Sequence, residues 1–324
     1  MMKTRRLGPW EVSSIGLGCM PMSGFPPTAF DIVKNRDRAI ATIHAALDLG
    51  ITLLDTADIY APSWNTMGHN EVLVAEGLRS WKGTPEQKAR VVIATKGGIT
   101  REPGDDWFGK GGRNADVNYL MRAVEASAGR LGVQKIQLWQ HHRLNHDMPY
   151  EQQIENEMML RQHGYVEHIG VSNLNSDQLK VALKVGGSVK EGGIISVQNE
   201  FSPRYRHGQD VVDLCEANGL AFFPWSNLGG VGSGANLENG SFGKFNEIGA
   251  RKGASPYAVT IAWHLKRSSA AIPIPGASRP ESITDTATGV ALELTDTEFE
   301  ELNASLPANA PLHDELVTQP PLMK

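Results

Sequence analysis

The chain has 324 residues, 40% of them hydrophobic and 21% charged, with a formal net charge of −5. That composition supports a large core, excludes a disordered chain, and gives no electrostatic basis for binding nucleic acid. Two cysteines, Cys19 and Cys215, are too few for a disulfide framework and fit a reducing, cytoplasmic compartment, while the polar start carries no signal core and no apolar run reaches a membrane span.

In chain order, the first element is a hairpin: residues 3–7, a turn at Gly8-Pro9, then residues 11–15. Strand and helix patterns alternate after it. Strands are expected at 15–19, 51–56, 91–96, 136–142, 169–173, 196–200, 221–226 and 270–275. Most are continuous apolar runs, which is how strands buried on both faces of a parallel sheet read. Between them, residues 38–49 place Ala39, Ile40, Ile43, Ala46 and Leu47 on one side, and Gly50 stops the helix. Residues 117–131 place Leu120, Met121, Val124, Ala128 and Leu131 together, with Asn114 or Asp116 as the cap. Ser255 and Pro256 open a helix that runs through Lys266. Eight strands with intervening helices predict a single α/β domain over 1–324, a closed (β/α)₈ TIM barrel with an N-terminal hairpin. Segments 21–35, 61–69, 100–113 and 228–243 read as insertions at one mouth of that barrel.

Three strands end on ionisable groups. The second stops at Asp55, the third at Lys96, and the fourth at His141-His142; Tyr60 follows Asp55 by five residues. Singly, each has a plain structural role as a cap, a solvated charge or a packing residue. Jointly they bring a carboxylate, an ammonium, a phenol and an imidazole to one mouth. A phenol with a reference pKa of ~10 is a poor acid at neutral pH, and a nearby ammonium lowers that value. Asp55 would partner the ammonium, and an imidazole could orient a carbonyl oxygen. The set suits proton delivery to a carbonyl during hydride transfer.

Asp55-Thr56-Ala57-Asp58-Ile59-Tyr60 followed by Gly68-His69-Asn70-Glu71 resembles the D-T-A-x-x-Y and G-x-N-E signature of the aldo-keto reductases. Further matches follow in that family's order: Gly16-Leu17-Gly18, Thr95-Lys96, Gln140 to Arg143, Gly170 to Asn173, Gln198 to Glu200, Trp225 to Leu228, and Ile274 to Glu281. The resemblance covers residues 3–305 and implies a catalytic tetrad of Asp55, Tyr60, Lys96 and His142. The family pattern Y-Q-x-H-R selects His142, and strand alternation turns His141 to the opposite face as a packing residue.

The resemblance also implies NADPH (NADP+) as cofactor, less often NADH, held without a Rossmann motif; no metal is implied. Ser172, Asn173 and Gln198 would hold the nicotinamide amide, and Trp225 would stack on its ring. Met20 and Asp55 would lie beside it. Ser226, Asn227, Leu228 and Gly230 would follow the pyrophosphate, with Gly229 and Gly232 allowing close backbone approach. Gly276, Ser278, Arg279, Ser282, Asp285 and Thr286 would surround the adenosine, Arg279 facing its 2′-phosphate. Ser282, Thr286, Asn227 and Gln137 depart from common family choices, and the first two bear on NADP over NAD.

The reading favoured by these residues is an NADPH-dependent oxidoreductase (EC 1.1.1.-) that reduces an aldehyde or ketone, with a small carbonyl compound as partner. Two alternatives stay open: NAD(P)-dependent oxidation of a sugar hemiacetal or secondary alcohol, and a cofactor-sensing subunit of a membrane channel. An intact tetrad and the lack of a segment before the first hairpin weigh against the second. Substrate identity, direction and oligomeric state are not legible. Trp64, Trp107, Phe108, Leu312, His313 and Leu316 are the pocket-wall candidates.

Overall fold

A turn at Gly8, with φ +55°, joins β1 (Thr4–Leu7) to β2 (Trp10–Ser13) in an antiparallel pair. A Cβ at Gly8 would stand 2.8 Å from Ile195 Cδ1, so glycine is required for space as well as for its dihedral. Leu7 and Val12 are fully buried in one cluster with Leu53, Val92, Leu138, Ile195, Ala221 and Ile272. The hairpin therefore closes the end of the barrel at which the strands begin. The structure is a computed structural model that describes residues 2–23, 32–103, 112–229 and 242–306.

Seven parallel strands pair in chain order: β3 (Leu17–Gly18), β4 (Leu53–Asp55), β5 (Val92–Gly97), β6 (Ile136–His141), β7 (Val166–Ser172), β8 (Ile194–Glu200) and β9 (Ala221–Trp225). The strand expected at 270–275 is corrected to an extended segment joined to both edges by isolated bridges, at Gly18–Gly276 and Phe222–Ala271. Ile272 N donates to Phe222 O at 2.7 Å and Phe222 N to Ala270 O at 2.8 Å, which completes the side facing β9. On the other side Gly16 N and Gly18 N donate to Pro273 O and Pro275 O at 2.8 and 3.0 Å. Pro273 and Pro275 have no N–H to return, and the bond back from this segment is Ala277 N to Gly18 O at 3.3 Å. The (β/α)₈ barrel is closed all the same.

The described helices are α1 (Ile32–Asp48), α2 (His69–Ser80), α3 (Pro85–Ala89), α4 (Val117–Leu131), α5 (Tyr150–Gln162), α6 (Ser176–Gly186), α7 (Gln209–Asn218), α8 (Gly243–Lys252), α9 (Pro256–Arg267), α10 (Pro280–Ala287) and α11 (Asp296–Ser305). Asp116 caps α4 by accepting from Asn118 N and Tyr119 N, and Gly132 ends it at φ 70°. Its buried residues Leu120, Val124, Ser127 and Leu131 recur at helical spacing and face the barrel. Ser255 caps α9 through Ala258 N, with proline in the first turn. Along the strands, Leu53, Ala94, Leu138 and Phe223 fill the barrel, while Trp139, Ile169, Val171 and Phe222 pack outward in the helical layer. Gln137, one of the departures from the family pattern, accepts from Ile93 N at 3.0 Å and donates to Val91 O at 3.3 Å, stitching two strand starts together.

Candidate active site

Parallel pairing fixes the height of every side chain at the mouth. Gly18 stands opposite Asp55, Lys96 opposite Gln140, Gly97 opposite His141, and Ser172 opposite Gln198. Lys96 is completely buried, and its ammonium donates to Asp55 Oδ2 at 2.8 Å, Thr56 O at 2.8 Å and Tyr60 Oη at 3.1 Å. Those are its three N–H bonds. The other Asp55 oxygen accepts from Gln198 Nε2 at 2.8 Å and from Gln140 Nε2 at 3.4 Å. Because the Tyr60 oxygen accepts from Lys96, its own O–H is directed elsewhere.

His142 is buried and meets Tyr60 edge to face, with ring centroids 5.8 Å apart at 84°. Its Nδ1 is buried without a partner among the described residues, which leaves Nε2 as the accessible nitrogen. His141 turns the other way, into the layer against α5. Gln140 lies two residues before His142 and shares its inward face. In the sequence Gln140 stands only as part of a motif, and its parity with His142 is the signal that places it at the mouth.

Burial is the largest influence on Tyr60 and moves its phenol above the ordinary value; the Lys96 ammonium pulls against it but does not win. This corrects the expectation of a lowered phenol. Burial also depresses Lys96, but Asp55 and Tyr60 more than offset it, and the ammonium is held above its usual range. Burial, then Lys96 and Arg143, keep His142 far below the ordinary histidine value, so its ring is neutral. Glu200, at the end of β8, is pushed up to about 7 by burial against the pull of Arg143. Arg143 packs over Trp225, its Cζ 5.8 Å from the ring centroid. Neither Glu200 nor Arg143 was singled out as a site residue from sequence.

The tetrad rests on a second set of bonds that explains the Asn70-Glu71 signature. Thr56 Oγ1 donates to Asn70 Oδ1 at 2.7 Å, and Asn70 Nδ2 donates to Cys19 O at 2.8 Å. Glu71 accepts from Thr95 Oγ1 and from Arg130 Nε, each at 2.6 Å. One turn of helix thus ties down the ends of three strands. Both cysteines are free and buried.

The remaining residues named from sequence fall in two groups. Ser172 Oγ donates to Gln198 O at 2.6 Å, and Asn173 Nδ2 donates to His142 O at 2.9 Å. Trp225 Nε1 donates to Asn173 Oδ1 at 2.9 Å, which fixes the indole beside the tetrad. Asn173 and Ser226 have φ 58° and 51°, the two described non-glycine residues in the left-handed region, and such strain gathers at sites. Asn227 is buried with its Nδ2 unpartnered among the described residues, while its carbonyl accepts from His264. Met20 and Leu228 are half-buried at the rim.

The second group lies at the far side, where Gly276 bridges Gly18. Arg279 is exposed at the start of α10, and Ser278 and Ser282 are half-buried near it. Asp285 accepts from Ser255 Oγ at 2.5 Å and Thr286 Oγ1 donates to Ser282 O at 2.6 Å, so both serve the local fold. Gly230, Gly232, Trp107, Phe108, Leu312, His313 and Leu316 lie outside the described residues. Among the described residues there is no metal-holding cluster of His, Cys, Asp and Glu, and no helix long and apolar enough to cross a membrane.

The mouth of a parallel barrel thus brings together an ammonium, a phenol, a carboxylate and a neutral imidazole. The profile of the aldo/keto reductase family matches residues 14–307, and the chain belongs to that family. An uncharacterized oxidoreductase of Schizosaccharomyces pombe is 30% identical over 300 residues, which is 93% of this chain and 89% of that protein. The crystal structure of an aldo/keto reductase from Klebsiella pneumoniae in complex with NADP and acetate superposes with a TM-score of 0.75 at 22% identity, covering 95% of this chain and 96% of the other. A glycerol dehydrogenase from Gluconobacter oxydans superposes with a TM-score of 0.75 at 24% identity, covering 94% of each chain.

Proposed function

We propose that this protein is an NADPH-dependent reductase of small aldehydes or ketones, with Tyr60 as the general acid. The observation that carries the reading is the Lys96 ammonium, bonded at once to Asp55, Thr56 O and the Tyr60 oxygen. A phenol kept protonated by burial is in the correct form to give up a proton at neutral pH. The ammonium stabilises the phenolate left behind, and Asp55 keeps that ammonium charged. Neutral His142 donates from Nε2 to the carbonyl oxygen, which places the oxygen against Tyr60 and polarises it.

Residues beside the tetrad fit the cofactor chemically. Asn173, Ser172 and Gln198 present amide and hydroxyl groups suited to a carboxamide, and Trp225 offers an indole face. The Asn227 amide, unpartnered among the described residues, and the left-handed Ser226 suit a phosphate-bearing chain. NADPH, when bound, supplies the hydride. Arg279 and Ser278 would hold its 2′-phosphate at the start of α10.

The same tetrad serves alcohol oxidation, since a phenolate beside Lys96 can accept the proton that the acid gives. The test is a panel of aldehydes, ketones and sugars assayed with NADPH and NADH, with the matching alcohols assayed with the oxidised cofactors. Turnover of carbonyl compounds with NADPH is expected. Tight NADPH binding with no turnover of any panel member would refute the reading and favour a cofactor sensor.

A further inference from the structure

Behind His142 the layer between β6 and α5 is polar where the surrounding layer is apolar. His141 and Gln153 are each 1% exposed, and Trp139 and Glu157 are fully buried. His141 Nδ1 lies 2.7 Å from Glu157 Oε1, and His141 Nε2 lies 3.1 Å from Gln153 Oε1. Trp139 Nε1 donates to the other Glu157 oxygen at 2.9 Å. Gln153 and Glu157 stand four residues apart on one face of α5.

The proton positions follow from the partners. Gln153 Nε2 donates to Asn145 O and Met148 O, each at 2.7 Å, and carbonyls only accept, so the amide can be oriented one way only. Its oxygen accepts from Asn145 N at 2.9 Å. His141 Nε2, facing that oxygen, must therefore be N–H. On the other side His141 Nδ1 and Glu157 Oε1 share a proton, while the other Glu157 oxygen receives the indole N–H. Against the ring besides lies Gly98 after β5, and Tyr150 lies near Glu157.

We infer that Glu157 and Gln153 act through His141 as a clamp that positions His142, which makes His141 a positioning residue of the reaction. The inference rests on the reading of His142 given above. Stability alone does not call for the pair, because buried polar groups lose their hydration and apolar residues of similar volume are often as stable. What the network supplies is a single geometry. It joins the end of β6, the helix behind it and the loop from Asn145 to Met148 around the residue that orients the substrate. His142 itself is held on the barrel side, its N–H on Gly97 O at 3.0 Å and its carbonyl on Asn173. The clamp holds the opposite face of the same strand end.

The test replaces the pair by apolar side chains in the full chain, as His141→Leu with Glu157→Leu. The double variant should fold and melt somewhat below wild type, because the buried Trp139 N–H loses its acceptor, and should bind NADPH within about twofold of wild type, because neither residue faces the cofactor. Its kcat should fall about tenfold with KM little changed, the pattern of a misplaced orienting group. A folded double variant with wild-type kcat would show that the network only fills space and would overturn the inference. If the double variant does not fold, NMR of the histidine rings in Gln153→Met decides: the His142 ring resonances should shift and broaden from their wild-type positions, whereas unchanged His142 resonances overturn the clamp. A wild-type protein without carbonyl turnover would fail the reading of the site instead, leaving the NMR result to judge the clamp.

Discussion

The Lys96 ammonium lies 2.8 Å from Asp55 Oδ2, with the lysine fully buried and the aspartate 3% exposed. A lysine so enclosed would lose its proton without a partner. Asp55 keeps it charged, and the charge is spent on the Tyr60 oxygen 3.1 Å away. The pair thus links the core of the barrel to its chemistry.

Lys96→Met breaks that link. Tyr60 is already raised by burial, and without the ammonium it rises further. Reduction needs the protonated phenol and declines as pH rises through its pKa, so the alkaline limb should move to higher pH while the rate falls. The variant also leaves Asp55 buried without its cation, at a cost of about 3–5 kcal/mol in stability. A pH–rate profile and a denaturant melt measure both effects. An alkaline limb at the wild-type position would show that Lys96 does not tune the phenol.

Strand ends were legible in the sequence because parallel strands buried on both faces read as apolar runs, and the polar residue that stops each run marks the mouth. Asp55 and Lys96 came from that pattern; alternation put His141 and His142 on opposite faces, and the family motif chose His142 as the inward one. The segment at 270–275 reads equally apolar, but Pro273 and Pro275 remove the N–H groups that would make it a strand. The direction of the Tyr60 shift was not legible, because burial comes from side chains far apart in the chain. Glu157 on α5 and Glu200 on β8 escaped for the same reason: spacing along one element does not show what a neighbouring element brings against it.

His142 should not titrate in the working range. Burial, Lys96 and Arg143 all hold its pKa well below the ordinary value, so the ring is neutral throughout. The pH profile of kcat/KM should therefore lack a limb between about pH 6 and 7. His142→Gln keeps an N–H donor and should retain more activity than His142→Ala. A limb in that range that disappears in His142→Gln would show that the imidazole works as an acid.

Asp58 gives a prediction on stability. It is buried beside Glu71, its Oδ1 has no partner among the described residues, and burial then Glu71 raise its pKa well above the usual carboxyl value. A folded-state pKa above the unfolded one means that the native state holds the proton more tightly. Stability contributed by this group is therefore present at acid pH and lost as pH rises from about 4 through the folded-state value. Asp58→Asn removes the dependence. The variant should gain melting temperature relative to wild type as pH increases from about 4.5 to 8. A difference that stays constant with pH would mean Asp58 is ionised in the folded protein.

In the proposed function, cofactor choice rests on Arg279. A guanidinium at the start of α10 can grip a phosphate dianion bidentately, and NADH has none to offer. Arg279→Ala should weaken NADPH by roughly tenfold to a hundredfold, the worth of a charge-assisted contact, and leave NADH nearly unchanged. Fluorescence titration of both cofactors decides it, and equal losses would mean Arg279 does not read the phosphate.

The most direct measurement is the turnover of Tyr60→Phe against wild type, with NADPH affinity measured on the same samples. Phenylalanine keeps the ring beside His142 and removes only the hydroxyl that Lys96 contacts. Carbonyl reduction should fall by at least ~10²–10⁴-fold, the range for losing a general acid, while NADPH binds nearly as before. Full turnover in the purified variant would contradict the assignment of Tyr60 as the acid and, with it, the chemistry assigned to the site.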